Sequence, residues 1–143
     1  MLCNSGGDGM RAAELLAIIS NNMPSDISDG SIINWINILE DMIYSTVIDG
    51  LVEGPYISED GLRERERYKP TIKTLEAAED TDLSLTSFGS RWIILYEYFI
   101  YSQISLLKEE FGKANNYIML YNSVLDDFYK FYNSRYQTKR EWR

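Results

Sequence analysis

Residues 91–136 read RWIILYEYFIYSQISLLKEEFGKANNYIMLYNSVLDDFYKFYNSRY. In the first part, side chains of one helix face recur every three or four residues, at Trp92, Tyr96, Phe99, Gln103 and Leu106. In the second part the same spacing links Tyr117, Tyr121, Val124, Phe128, Phe131 and Tyr132. This periodicity predicts two long helices, one from Ser87 or Ser90 to about Phe111 and one from about Lys113 to Tyr136. Because Gly112 favours a helix end, we predict that the two helices pack as an antiparallel hairpin.

Two further helices are predicted upstream of this hairpin. The first spans about residues 11–22 and cannot continue through Pro24. The second has Asp29 or Ser31 available as its N-cap and carries a broad apolar arc made of Ile32, Trp35, Ile36, Leu39, Met42, Ile43 and Val47. This amphipathic second helix suits the groove of the hairpin. We therefore predict an all-α fold of about four helices.

Residues 49–87 separate the second helix from the hairpin and lack a clear period. Gly50, Gly54, Pro55, Gly61 and Pro70 interrupt this stretch. The alternating charges of residues 63–67 are typical of a solvated helix face or an exposed loop. We predict a long irregular loop that protrudes and contacts a neighbouring molecule, with a short helix near residues 59–67 or a small hairpin.

One acidic residue lies among the apolar positions of the second helix. On a helical wheel Glu40 falls between Ile33 and Val47, and a buried carboxylate has to be paired or hydrogen-bonded. Either Arg91 or a tyrosine hydroxyl is a suitable partner. We predict that Trp35 and Glu40 act as structural anchors.

Few residues in the chain are suited to catalysis. Histidine is absent and Cys3 is the single cysteine, so the most frequent proton-transfer group and metal ligand is missing. Adjacent carboxylates occur at residues 40–41, 59–60, 109–110 and 126–127, but neighbours on a helix point in different directions. No metal-ligand spacing or phosphate-binding loop is present in the sequence. We predict a protein that is not an enzyme and needs no metal or cofactor.

Charge is distributed unevenly along the chain. Residues 1–89 contain six basic and sixteen acidic residues, a net charge of -10, whereas residues 90–143 carry +2. The basic residues near the end are Arg135, Lys139, Arg140 and Arg143. This segment could dock on an acidic partner, lie in solvent as a helix end, or bind nucleic acid. We predict a flexible extension at residues 1–10, a helical domain at 11–136 and a basic tail at 137–143.

Tyrosine is unusually frequent. Eight of the eleven tyrosines follow residue 90, and a tyrosine combines an apolar ring with a hydroxyl that needs water or a partner. These residues are suited either to the boundary of one helical bundle or to half-buried surfaces between subunits. No stretch of the sequence approaches the ~20 apolar residues that a bilayer-spanning helix needs, and we predict no membrane contact.

The order of several motifs resembles the head–tail connector, or adaptor, proteins of tailed bacteriophages, in particular siphophages of Gram-positive hosts. WINILE at residues 35–40, after Pro24, is similar to the opening helix of that family, and DTDLSL at residues 80–85 is similar to its acidic lead-in. The tyrosine-rich residues 92–104 and the repeated YN and FY pairs of residues 117–136 resemble its last two helices. The chain departs from the family pattern at residues 88–90, where FGS replaces a proline-tyrosine pair.

This resemblance implies a structural protein of the virion, assembled in the host cytoplasm. It would form a dodecameric ring between the portal protein and a head-closure or tail protein, and DNA would pass through the ring without specific binding. By position, the resemblance assigns portal docking to Arg135, Tyr136, Lys139, Arg140, Trp142 and Arg143. A stand-alone helical interaction or regulatory protein is the alternative, and it predicts a stable monomer or dimer.

Overall fold

The computed structural model describes residues 9–49 and 69–136, and within these two ranges the chain folds into four α-helices with no β-strand. The helices are α1 (Ala12–Asn22), α2 (Asp29–Ile43), α3 (Ile93–Leu107) and α4 (Phe111–Tyr136). A π-helical turn, Tyr44–Asp49, continues α2, and two short 3₁₀ turns, Ser84–Phe88 and Ser90–Trp92, precede α3. The predicted all-α fold is confirmed.

The start of α2 differs from the prediction by one residue or more. Ser28 is the N-cap, and its hydroxyl oxygen accepts a hydrogen bond from the backbone N–H of Ser31 at 3.2 Å. This bond satisfies one of the N–H groups that the first turn of a helix leaves without a partner. Asp29 and Ser31, the predicted caps, lie inside the helix, so that prediction was wrong.

The long hairpin formed by α3 and α4 is present, but its turn lies earlier than predicted. Glu110 N–H donates to Ser105 C=O at 2.9 Å and Glu109 N–H donates to Leu106 C=O at 3.0 Å. This pair of bonds is a Schellman motif, in which the residue just after the C-cap adopts the left-handed conformation. Glu109 does so with φ 61°, although it is not a glycine. The predicted break at Gly112 was therefore wrong, because Gly112 lies in the first turn of α4.

An aromatic cluster packs the second half of α4 against the segment that enters α3. Phe88 contacts Phe128 edge to face with ring centroids 5.5 Å apart, and Trp92 contacts Phe128 at 5.0 Å. Phe131 and Tyr132 complete the cluster. Helix α2 packs against α3, and its π-helical continuation packs against α4. The amphipathic second helix therefore covers the hairpin, as predicted.

Part of the predicted loop packs on the core. Ala78, Leu83 and Leu85 are buried, and Ala12 and Ala13 N–H donate to the carbonyls of residues 81 and 78. The prediction that this stretch protrudes was wrong for residues 78–85, because backbone hydrogen bonds and buried side chains fasten them to the helices. Residues 50–68, including the predicted helix or hairpin at 59–67, lie outside the described ranges.

Met10 is bonded to the same segment. Met10 N–H donates to the Thr86 hydroxyl at 2.9 Å, and Met10 C=O accepts from Leu83 N–H at 2.7 Å. Met10, the last residue of the predicted N-terminal extension, is therefore hydrogen-bonded to the residues that precede α3.

We predict opposite effects for alanine at two glycines. A Cβ on Gly112 would have no heavy atom within 4 Å, so Gly112→Ala should raise the free energy of unfolding by about 0.4–1 kcal/mol by restricting the unfolded chain. Gly89 has φ +142°, a conformation that residues with a Cβ rarely adopt, so Gly89→Ala should lower the free energy of unfolding. Urea unfolding measures both changes. A loss of stability in Gly112→Ala would contradict the position of the turn.

Candidate interaction surface

A buried polar cluster surrounds the carboxylate of Glu40, which is 1% exposed. One oxygen accepts a hydrogen bond from the ammonium group of Lys73, whose side chain is fully buried. The other oxygen accepts from the Tyr96 hydroxyl at 2.6 Å and from the Ser84 backbone N–H at 2.7 Å. The Tyr96 hydroxyl in turn accepts from Leu85 N–H at 2.9 Å. Both oxygens of the carboxylate therefore have partners, and the Tyr96 hydroxyl both donates and accepts.

The cluster resolves the choice of partner for Glu40 that the sequence left open. The tyrosine hydroxyl is present, in Tyr96, whereas Arg91 lies over the ring of Trp92 and does not contact the carboxylate. Lys73 was not anticipated, because it lies in a stretch without periodicity. Trp35, the second predicted anchor, is half-buried on α2 and packs against the core.

The side chain of Asn37 also holds the backbone of Lys73. The side-chain amide of Asn37 accepts from Lys73 N–H at 2.9 Å and donates to Lys73 C=O at 3.0 Å. The Asn37 side chain thereby holds both the backbone N–H and the backbone C=O of Lys73 beside α2. The charges of the cluster are therefore enclosed and paired, as a buried carboxylate requires.

The tyrosines divide between the core and the surface. Tyr96, Tyr101 and Tyr132 are buried, and Tyr98, Tyr117 and Tyr121 are half-buried. Tyr129 is 41% exposed. The partly exposed rings lie along the hairpin, and their contact with other subunits stays a prediction.

An open groove runs between the start of α3 and the second half of α4, and we call it the hairpin groove. Its volume is about 600 Å³, and its lining comprises Arg91, Trp92, Ile94, Val124, Asp127, Lys130, Phe131 and Ser134. The guanidinium carbon of Arg91 lies 4.2 Å from the centroid of the Trp92 ring and 5.6 Å from that of Phe131. This stacking orients the guanidinium through cation–π attraction. Arg91 makes no ion pair within the described ranges.

Large apolar side chains are exposed on several elements. At the turn of the hairpin, Leu107 is 65% exposed and Phe111 is 63% exposed. Met119 on α4 is 62% exposed, and Ile72 in the segment before the first 3₁₀ turn is 86% exposed. Single exposed apolar residues are common in monomers, but several on one hairpin are typical of a surface that another protein covers.

The predicted docking residues lie at or beyond the end of the described chain. Arg135 and Tyr136 are the last two residues of α4, and their side chains are not described. Lys139, Arg140, Trp142 and Arg143 lie outside the described ranges. Their assignment to portal docking stays a prediction.

The described ranges contain no group of histidine, cysteine, aspartate or glutamate side chains that could hold a metal ion. In the same ranges no helix is long and apolar enough to cross a membrane.

No family model matches the chain, and no curated protein or solved structure is significantly similar to it.

We predict that Lys73→Met destabilises the protein strongly. The variant leaves the carboxylate of Glu40 buried without its cation, which costs about 3–5 kcal/mol. Adding Glu40→Gln should recover most of this loss, because the neutral amide still accepts from Tyr96 and Ser84. Lys130→Met is the control, because the pair of Lys130 with Asp126 is exposed and its loss should be hardly measurable. Denaturant unfolding of all four proteins tests the ion pair, and a mild effect of Lys73→Met would contradict it.

A second prediction concerns alkaline pH. Burial raises the pKa of Tyr121 to about 12, while an unfolded tyrosine titrates near 10. The stability that depends on neutral Tyr121 is therefore fully present below pH ~10. It is lost as the pH rises toward 12, at up to about 1.4 kcal/mol per pH unit. Tyr121→Phe should make the fall in unfolding free energy less steep above pH ~10 and leave its pH dependence unchanged at neutral pH. If the unfolding free energy of Tyr121→Phe fell as steeply above pH ~10 as that of the unaltered protein, the burial of this hydroxyl would be contradicted.

Proposed function

We propose that this protein is a structural subunit of a virion, a head–tail connector that forms an oligomeric ring between the portal protein and the head-closure or tail proteins. The ring would let DNA pass through its centre. No catalytic role is proposed for the chain.

The observation that carries this proposal is the position of Glu40. The sequence resemblance depends on three separate segments, namely residues 35–40, residues 80–85 and the tyrosine-rich helix that contains Tyr96. Glu40 ends the first segment, and its carboxylate accepts from Ser84 in the second and from Tyr96 in the third. The motifs that resemble the connector family therefore belong to one packed unit and not to unrelated surface positions.

Surface chemistry supports an assembly role. The exposed apolar side chains of the hairpin turn and of α4 favour contact with other protein surfaces. The net charge of the chain is -8. Such an acidic protein repels DNA and does not retain it by releasing counterions, which is suitable for a channel through which DNA moves.

We expect the purified protein to form a high-order ring or a complex with the portal protein of the same phage. Native mass spectrometry and negative-stain imaging, alone and with the portal, measure this directly. A protein that stays monomeric under both conditions would contradict the proposal and favour a stand-alone interaction module.

The same binding measurement tests the predicted docking tail. Arg140→Glu combined with Trp142→Ala should weaken portal binding roughly tenfold or more, since arginine and tryptophan are frequent energetic centres of interfaces. Lys113→Ala, at the opposite end of α4, serves as the control and should bind as the unaltered protein does. Equal portal binding by both variants would remove the docking role of the tail without removing the ring.

A further inference from the structure

We propose that the hairpin groove receives the acidic turn, residues 75–80, of a second copy of this chain. The inference rests on the proposed ring and identifies one contact between its neighbouring subunits.

The groove offers one oriented cation above an apolar floor. Arg91 is exposed, stacks on Trp92 and has no carboxylate partner within the described ranges. A stacked guanidinium keeps its in-plane N–H groups available, and these match the two oxygens of a carboxylate. Ile94, Val124 and Phe131 supply apolar lining. Lys130, which pairs with Asp126 at 3.0 Å, and Asp127 also line the groove, so Arg91 is the lining cation that has no carboxylate partner within the described ranges.

The acidic turn presents the complementary groups. Glu76, Glu79 and Asp80 are exposed there and have no ion-pair partner in the described chain, and Leu75 is 48% exposed beside them. An apolar side chain flanked by carboxylates fits an apolar groove with an arginine at its edge.

The turn is held in a fixed conformation before any contact is made. Ala78 N–H donates to Leu75 C=O at 3.2 Å and Asp80 N–H donates to Ala77 C=O at 3.0 Å. Ala78 is buried, and its carbonyl accepts from Ala13 N–H at the start of α1 at 2.9 Å. A turn fixed in this way loses little conformational entropy when it binds.

Charge complementarity within the chain argues for a second copy as the occupant. The acidic turn belongs to residues 1–89, which carry a net charge of -10, whereas the hairpin that forms the groove, residues 91–136, has five basic and five acidic residues. The turn has three carboxylates without an ion-pair partner, and Arg91 is the groove cation without one. The two surfaces share no residue, so one copy can use its groove and its turn at the same time. A contact between two different surfaces of identical subunits is heterologous, and such contacts close into rings when the rotation between subunits permits.

A charge exchange between two variants tests this contact. Arg91→Glu reverses the charge at position 91 in the groove. Glu76→Lys with Glu79→Lys reverses the charge of the turn. Each variant alone would place like charges together at every contact, so we expect self-association weaker by roughly tenfold or more. In an equimolar mixture, alternating copies would restore opposite charges at both kinds of contact. The mixture should then associate about as well as the unaltered protein.

Native mass spectrometry and sedimentation velocity, with and without the portal protein, measure association. Lys113→Glu reverses an exposed charge of α4 outside the groove and should associate normally. Full association of either variant alone, failure of the mixture to recover, or absence of self-association in the unaltered protein would overturn the inference. The proposed function is tested separately. If Arg91→Glu still formed rings on the portal protein, the contact between groove and turn would be rejected and the connector function would stand. If the unaltered protein did not bind the portal protein, the connector function itself would be rejected.

Discussion

The buried carboxylate of Glu40 connects three segments that lie far apart in the sequence. Its hydrogen-bond partners lie 33, 44 and 56 residues further along the sequence. A charge in this position is costly unless it is fully paired, and Lys73, Ser84 and Tyr96 supply that pairing. The ion pair need not add net stability compared with apolar residues of the same volume. It does require the segment around Lys73 to lie against α2, and so it specifies one arrangement of the chain.

Around this centre the hairpin packs against the upstream helices, and both contribute buried apolar side chains. Helix α4 has 26 residues, which corresponds to a length of about 39 Å. Its first half runs beside α3, where Tyr117 and Tyr121 contact aromatic rings of α3. Met119 lies between these two contact positions but is 62% exposed. One face of α4 is therefore packed, and large apolar side chains remain exposed beside it.

Buried and accessible charged groups lie in different parts of this protein. The buried acid is enclosed by its own partners, while the arginine of the hairpin groove remains open to the outside. Apolar surface, an oriented cation and an acidic turn on separate parts of one molecule are suited to contacts between proteins. The proposed ring combines these features with the resemblance carried by residues 35–40 and 80–85.

Local pattern in the sequence determined the helices and the need of Glu40 for a partner, because helix periodicity and the burial of one face are encoded within a few turns. It also placed Trp35 on the packed side of α2. The tertiary structure alone decided that Lys73 pairs with Glu40, that residues 78–86 are fastened to α1 and Met10, and that Arg91 lies near the ring of Phe131. These depend on residues far apart in sequence, for which no local pattern exists. The turn at Glu109 was decided in the same way: backbone hydrogen bonds and packing of the hairpin offset the cost of about 1–2 kcal/mol for a left-handed residue other than glycine.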